Sequence, residues 1–215
     1  MLVDIYILKR QMFRIYLFMV LIALVVACKP YNTKVNQTPL PEIKTYFSAT
    51  IDGRKVLYKA DSVGYLDTSF VFSEVFPDSS FNSYISGLEK PGRLRIELIR
   101  KRLAHVGVAP SQFDFRNYFL IGNYSFAYSP PTYINNGFTI AFSEGGIEYT
   151  TEGVNAFQTP GSFRIVAQED GMNSKGQYQV NILCRFNCNF YARTDFSNVK
   201  TVTNAEYRGS FIYQQ

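Results

Sequence analysis

The sequence predicts an all-β protein, an antiparallel β-sandwich or partly closed barrel of about ten strands, preceded by a signal helix and a short tether. Three observations lead to this prediction. From Tyr46 onward, apolar and polar residues alternate with a period of two, as in a strand with one buried face. Dipeptides that favour tight turns separate these strand-length runs. Phe and Tyr number 19 and 16 while Trp is absent, which suits half-buried strand surfaces.

The chain divides by composition into three parts. We expect a signal peptide over residues 1–27, a lipidated N-terminus and flexible tether over 28–44, and a single β-domain over 45–215. Three prolines and several polar residues, without apolar periodicity, indicate the tether. No uncharged or amphipathic stretch of helical period follows the signal, which agrees with an all-β domain. Sandwich and barrel stay open, because inward and outward positions alternate equally in both.

The first segment has the layout of an export signal. Basic residues precede the uncharged run IYLFMVLIALVVA, which ends at Cys28. The 14 uncharged residues between Arg14 and Lys29 reach about 21 Å as a helix, against about 30 Å of hydrocarbon in a bilayer. The run is therefore predicted to be cleaved rather than to span a membrane. Either Met1 or Met12 can be the start.

Val25-Val26-Ala27-Cys28 resembles the lipobox of bacterial lipoproteins. The resemblance implies acylation of Cys28 and contact with a membrane through its acyl chains, which are enough for stable anchoring. It also implies an outer-membrane lipoprotein of the cell envelope. Lys29-Pro30 follows the cysteine, where surface-bound relatives often carry acidic residues, so the periplasmic and surface faces both stay open. The alternative is a plain secretory signal in which Cys28 is incidental.

The charge balance of the mature chain is mild. Residues 1–27 contain three of the 22 basic and one of the 17 acidic residues, so their removal leaves an excess of +3. This excess does not indicate nucleic-acid binding, and no nucleic-acid partner is expected.

Individual strands can be placed by their alternation. Phe47, Ala49 and Ile51 share one face, and Asp52-Gly53 is a dipeptide typical of a two-residue hairpin turn. Val56 and Tyr58 then alternate in the returning strand. Further strands are predicted in GRLRIELI after Pro91-Gly92, in FTIAF and IEYTT around Gly145-Gly146, in SFRIVA, and in AEYRGSFIYQ.

Cys184 and Cys188 invite a disulfide or metal interpretation, but the pattern indicates buried thiols. In VNILCRFNCNFYA both fall on the apolar face, with Asn181, Arg185, Asn187 and Asn189 on the other face. Four strand residues separate the cysteines by about 13 Å, whereas a disulfide needs Cα atoms within roughly 7 Å. A sharp turn between them is the competing interpretation.

Other residues with chemical potential have plainer interpretations. His105 is the only histidine and lacks ligand or nucleophile partners at a recognisable spacing, so it is predicted to lie in a loop or in solvent. Glu144, Glu148 and Glu152 flank the Gly145-Gly146 turn. EDGMNSKG is predicted to be a hairpin loop in which Asp170 and Asn173 bond their own backbone. No cofactor and no metal are expected.

Two groups form a candidate partner surface. Arg100, Lys101 and Arg102 could contact anionic headgroups, although basic residues at a strand end more often are solvated and protect the edge from aggregation. Tyr128 and Tyr133, beside two prolines, could form a platform for a sugar or peptide.

SATIDGR, PGSFRIVAQEDG, GQYQVNILCRFNCNFY and VTNAEYRGSF are similar in order and form to the single-domain β-rich lipoproteins of unknown function common in Bacteroidota. The last motif has Ala205 where that group usually has glycine. The resemblance carries no catalytic residues to this chain. We expect a lipid-anchored envelope module that binds a protein or glycan partner without catalysis. A calycin-like carrier of an apolar ligand and a carboxylate-dependent hydrolase using Glu144 or Glu148 are the alternatives.

Overall fold

The fold is known from a computed structural model, which describes residues 39–62, 64–77, 79–127, 137–153 and 156–214. Within these residues one sheet contains eleven strands, and every pair of neighbouring strands is antiparallel. The strands are β1 (Tyr46–Ile51), β2 (Arg54–Lys59), β3 (Leu66–Phe76), β4 (Ser79–Lys90), β5 (Leu94–His105), β6 (Gly122–Tyr124), β7 (Phe138–Glu144), β8 (Ile147–Thr150), β9 (Ser162–Met172), β10 (Tyr178–Ala192) and β11 (Asp195–Ile212).

The order of the strands in the sheet is β2-β1-β11-β10-β8-β7-β5-β4-β3. The long strand β10 also pairs with β9 along residues 178–187, and β6 pairs with the far side of β9. The sheet does not close, because β2 and β3 each have one strand neighbour in this path. The predicted all-β antiparallel architecture is confirmed, with the geometry of a β-sandwich or open barrel.

The first hairpin forms as its sequence predicts. Asp52 and Gly53 both have positive φ, at 48° and 78°, as a type I′ turn requires, and Ile51 pairs with Arg54 across it. Phe47, Ala49 and Ile51 are buried on the inner face, and Val56 and Tyr58 pack against them.

Strand β10 supplies the centre of the core. Its alternate residues from Val180 to Ala192 are all buried, including Cys184 and Cys188, whose thiols are free. The prediction of two buried thiols is confirmed. Asn181 was predicted on the polar face and is nevertheless buried, where its side-chain oxygen accepts hydrogen bonds from Gln179 and Ser210. A bulge between Phe186 and Cys188 shifts the register without turning either sulfur outward.

Aromatic rings fill the interior from several strands. Phe186 stacks between Phe47 and Phe163, with centroid distances of 6.2 and 5.6 Å, and Phe163 stacks on Phe138 at 4.1 Å. These contacts join β10, β1, β9 and β7 into one core. Side chains therefore fill the space between these strands.

One short helix accompanies the sheet. Helix α1 (Gln112–Asn117) begins with a capping box, in which Ser111 and Asp114 each accept a hydrogen bond from the other's backbone N–H. It directs Phe115 into the core, 4.6 Å from the Tyr84 ring. Six residues are too few for a helical period to stand out in the sequence. None of the helices in the described part of the chain has the length and apolar character needed to cross a membrane.

The last part of the predicted tether packs on the domain. We call residues 39–45 the N-terminal strap. Leu40 N–H donates to the Met172 carbonyl at 2.8 Å, and Ile43 and Thr45 are buried. The strap covers the outer face of β9, β10 and β11, where Leu40 lies against Gly171. The part of the chain that packs on the β-domain therefore begins before position 45.

Candidate functional site

The predicted partner surface divides into residues with different surroundings. Cys28, Tyr128 and Tyr133 lie outside the described residues. Arg100 is only 6% exposed, so the interpretation of this residue as a solvated edge charge is wrong. Its guanidinium lies 3.9 Å from the Tyr118 ring centroid and 4.9 Å from those of Tyr124 and Phe138.

This aromatic cage stabilises the buried charge of Arg100 through cation–π contacts. Nε donates to the Tyr118 carbonyl at 3.2 Å, while Nη1 is buried and has no hydrogen-bond partner among the described residues. Burial lowers the pKa of Arg100, but a guanidinium stays protonated. Because these side chains enclose it, Arg100 joins β5 to β6, to β7 and to the residue that follows helix α1.

Lys101 and Arg102 are each paired with a carboxylate. Lys101 Nζ lies 2.8 Å from a Glu152 oxygen, and Arg102 Nε lies 3.0 Å from a Glu74 oxygen. The three basic residues therefore do not form a single basic surface.

The glutamates considered for hydrolysis also lie in ion pairs. Glu144 binds Arg54 at 2.9 Å and Lys200 at 3.8 Å. Glu148 contacts Arg95 at 3.2 Å and Arg193 at 3.9 Å. Each carboxylate thus lies between two basic side chains.

The prediction for the EDGMNSKG loop is correct for Asn173 and wrong for Asp170. Asn173 Oδ1 accepts from the backbone N–H groups of Lys175 and Gln177 at 3.0 and 2.9 Å, as predicted. Asp170 lies instead within β9, where it accepts from Tyr178 OH and Arg116 Nε, both at 2.7 Å. Burial opposes ionisation, but these two hydrogen bonds outweigh it and hold the pKa of Asp170 below its usual value.

His105 ends β5 and is partly buried, so it is not the solvent or loop residue predicted. Its Nδ1 has no hydrogen-bond partner among the residues described. Within that part of the chain, no cluster of three His, Cys, Asp or Glu residues could hold a metal ion.

A groove beside the N-terminal strap is a candidate binding site. This strap groove has a volume of about 260 Å³ and lies between the strap, β3 and the β9–β10 hairpin. Apart from Leu40, Ile43 and Ile212, every lining residue is polar or charged. The polar lining consists of Glu42, Thr45, Asp67, Thr68, Ser69, Asn173, Ser174, Lys175, Gln177, Gln179 and Ser210.

Hydrogen bonds organise the groove floor. Gln179 Nε2 and Ser210 Oγ both donate to Asn181 Oδ1, at 3.0 and 2.9 Å. Ser69 Oγ accepts from the Ile212 N–H at 3.1 Å and joins β3 to the floor. Asn181 Nδ2 is buried beside the groove and has no hydrogen-bond partner among the described residues. Hydrogen bonds thus fix the side-chain amides and hydroxyls at the groove floor. The amide nitrogen of Asn181 is the donor without a partner among the described residues.

Sequence reasoning missed this groove because its walls are far apart in the chain. The strap ends at residue 45, β3 begins at residue 66, and the β9–β10 hairpin begins at residue 162. Leu40 and Ile43, two apolar residues within a proline-rich segment, were the available signal that the strap packs on the domain.

Comparisons with protein-family models, with curated proteins and with solved structures found no match to this chain.

Proposed function

We propose that this protein is a lipid-anchored domain of the bacterial cell envelope that binds a glycan without catalysis. The observation that carries the binding part is the strap groove, whose lining offers hydroxyl, amide and carboxylate groups. Such groups exchange hydrogen bonds with sugar hydroxyls, which both donate and accept. The anchoring part rests on the signal sequence that ends at Cys28.

The polar lining favours a glycan over an apolar ligand. Pockets for apolar small molecules are lined mainly by hydrophobic and aromatic side chains. Here no aromatic residue is among the described residues that line the groove, and Phe163 and Phe186 stack closely in the core. A calycin-like carrier would need an open space in the core for its ligand. The close packing of the core therefore supports binding at the strap groove instead.

Ion pairing makes a hydrolase the weaker alternative. A glycosidase needs one carboxylic acid that stays protonated and a second carboxylate facing the same bond. Glu144 and Glu148 each face two basic side chains. This arrangement supports a structural role in joining strands.

Anchoring is tested by intact-mass measurement of the detergent-extracted protein beside its Cys28→Ala variant. We expect the mass of a chain that begins at Cys28 and carries acyl groups, and we expect the variant to lose both features. A plain cleaved or uncleaved mass in the wild type would contradict the anchoring part.

Binding is tested on an array of peptidoglycan and lipopolysaccharide fragments with the extracted protein. Lys175→Ala, at the groove wall, is expected to weaken binding of any retained glycan. Lys55→Ala is the matched control, because it removes an exposed lysine from β2 outside the groove. Equal effects of the two variants, or no retained glycan, would contradict the groove as the site.

A further inference from the structure

One end of the domain exposes large apolar side chains on β3, on helix α1 and on the loop that follows β5. We call Val75, Val106, Val108 and Phe113 the apolar end. Their exposed fractions are 81, 76, 80 and 67%. Clusters of exposed apolar residues on a soluble domain indicate contact with a protein or a membrane.

Strand register places these residues together. Val75 on β3 pairs with Ser80 on β4, and Ser80 pairs with His105, the residue before Val106. Neighbouring strands are about 4.8 Å apart, so Val75 and Val106 lie within roughly two strand spacings.

The other two members follow closely in the chain. Val108 and Phe113 flank Pro110, whose carbonyl accepts a hydrogen bond from Tyr213 OH at 2.6 Å. Phe115, two residues beyond Phe113, is buried in the core and fixes the orientation of the helix. The loop is therefore held by contacts on one side while its apolar residues face outward.

Two carboxylates beside the apolar end have partners within the domain. Glu74, next to Val75, is paired with Arg102 at 3.0 Å. Asp114, next to Phe113, keeps its charge and accepts hydrogen bonds from the Ser111 backbone N–H at 3.0 Å and from its hydroxyl at 2.7 Å. The four apolar side chains thus lie beside one ion pair and one hydrogen-bonded carboxylate.

The N-terminal strap reaches the same end of the domain. Leu40 is hydrogen-bonded to Met172, and Met172 pairs with Tyr178 across the β9–β10 hairpin. The Tyr178 ring lies 6.3 Å from the Phe115 ring of helix α1. The described chain thus begins beside the helix that carries Phe113.

The length of chain before the strap limits the distance from an anchor. Cys28 precedes Pro39 by 11 residues, which span at most about 40 Å when fully extended. An acylated Cys28 would therefore keep the start of the strap within about 40 Å of the bilayer.

We propose that the apolar end rests on the lipid bilayer, with Val75, Val106, Val108 and Phe113 at the boundary between headgroups and acyl chains. This inference rests on the proposed anchoring at Cys28. Burial of the four side chains in the interface would orient the domain relative to the membrane, so that the anchor and the apolar end act as two contacts.

The absence of Trp from the sequence allows a direct test. Phe113→Trp would introduce a sole tryptophan at the apolar end. Phe157→Trp is the matched control, because Phe157 is 61% exposed and its carbonyl accepts from Tyr191 OH near the opposite end of β10. Each full-length variant is reconstituted into phosphatidylcholine vesicles with brominated acyl chains, which quench nearby tryptophan.

We expect strong quenching and a blue-shifted emission for Phe113→Trp, and neither for Phe157→Trp. Equal quenching of both variants, or none, would overturn the proposed orientation. Shielding of the Phe113→Trp emission in cross-linked dimers, without quenching by the lipid, would assign the apolar end to a second copy and overturn it too.

Intact mass of the same samples separates this inference from the anchoring proposal. Acyl chains without quenching would retain the anchor and reject the membrane contact. Quenching without acyl chains would reject the anchor and retain the contact.

Discussion

At the scale of single residues, Gly209 shows how closely the two walls of the core approach. A Cβ at this position would lie 2.4 Å from Ser86 Oγ and 2.5 Å from a Tyr207 ring carbon. Ser86 Oγ and Tyr207 OH are hydrogen-bonded to each other at 3.0 Å in a buried site. Glycine is therefore required here by space.

Gly209→Ala should destabilise the fold by about 1–3 kcal/mol, since a methyl group forced into a packed core displaces its neighbours. Urea unfolding measures the change. Gly122→Ala is the control, because no heavy atom lies within 4 Å of its Cβ position. Similar free energies of unfolding for both variants would contradict the close approach.

The cysteines give a second prediction at this scale. Burial raises the pKa of both Cys184 and Cys188, so neither should react with a thiol reagent in the native protein. After unfolding in detergent and guanidinium, titration should find two thiols if Cys28 is acylated and three if it is not. If Cys184 and Cys188 did not react with the reagent after unfolding, they would not be free thiols.

At the scale of elements, helix α1 combines local and distant contacts. The Ser111 cap and Asp114 form it locally, whereas Phe115 and Phe119 fix it to β4 and β11 through Tyr84 and Phe211. Isolated helices of this length are not stable in water, so tertiary packing must supply most of the stability.

Phe115→Ala should cost about 3–5 kcal/mol, the range for deletion of a buried phenylalanine ring. Phe113→Ala, two positions earlier on the same helix, should change the free energy of unfolding by less than about 0.5 kcal/mol, because that side chain is exposed. Thermal and urea unfolding compare the pair. Equal losses would contradict the orientation of the helix.

At the scale of the whole molecule, buried tyrosines make the free energy of unfolding depend on pH in the alkaline range. Burial is the main cause that raises the pKa values of Tyr46, Tyr58, Tyr84 and Tyr118 to about 12. In an unfolded chain these groups titrate near 10. The folded state therefore holds protons that the unfolded state releases.

Because the folded pKa values are the higher ones, the tyrosine contribution to stability is complete below about pH 10 and is lost as the pH rises toward 12. The free energy of unfolding, measured in urea at increasing pH, should fall across this window, and tyrosinate absorbance should rise steeply on unfolding. A constant free energy from pH 9 to 12 would contradict the burial of these phenols.

Prediction from sequence worked where the signal is local. The faces of β1 and β10 followed from alternation, and the Asp52-Gly53 turn followed from the demand for positive φ. The predictions for Arg100 and the end of the tether were wrong. Arg100 is buried by Tyr118, Tyr124 and Phe138, which lie 18 to 38 positions later in the chain.

The sequence by itself determined that the domain is antiparallel β-structure and which face of each main strand is apolar. Both follow from the alternation of apolar and polar residues, which can be read from neighbouring positions. Only the tertiary structure decided the order of the strands, the packing of the N-terminal strap on β9 to β11, and the polar groove beside it. Those features depend on contacts between distant segments. Alternation specifies that a strand has a buried face, but not which distant segment covers it.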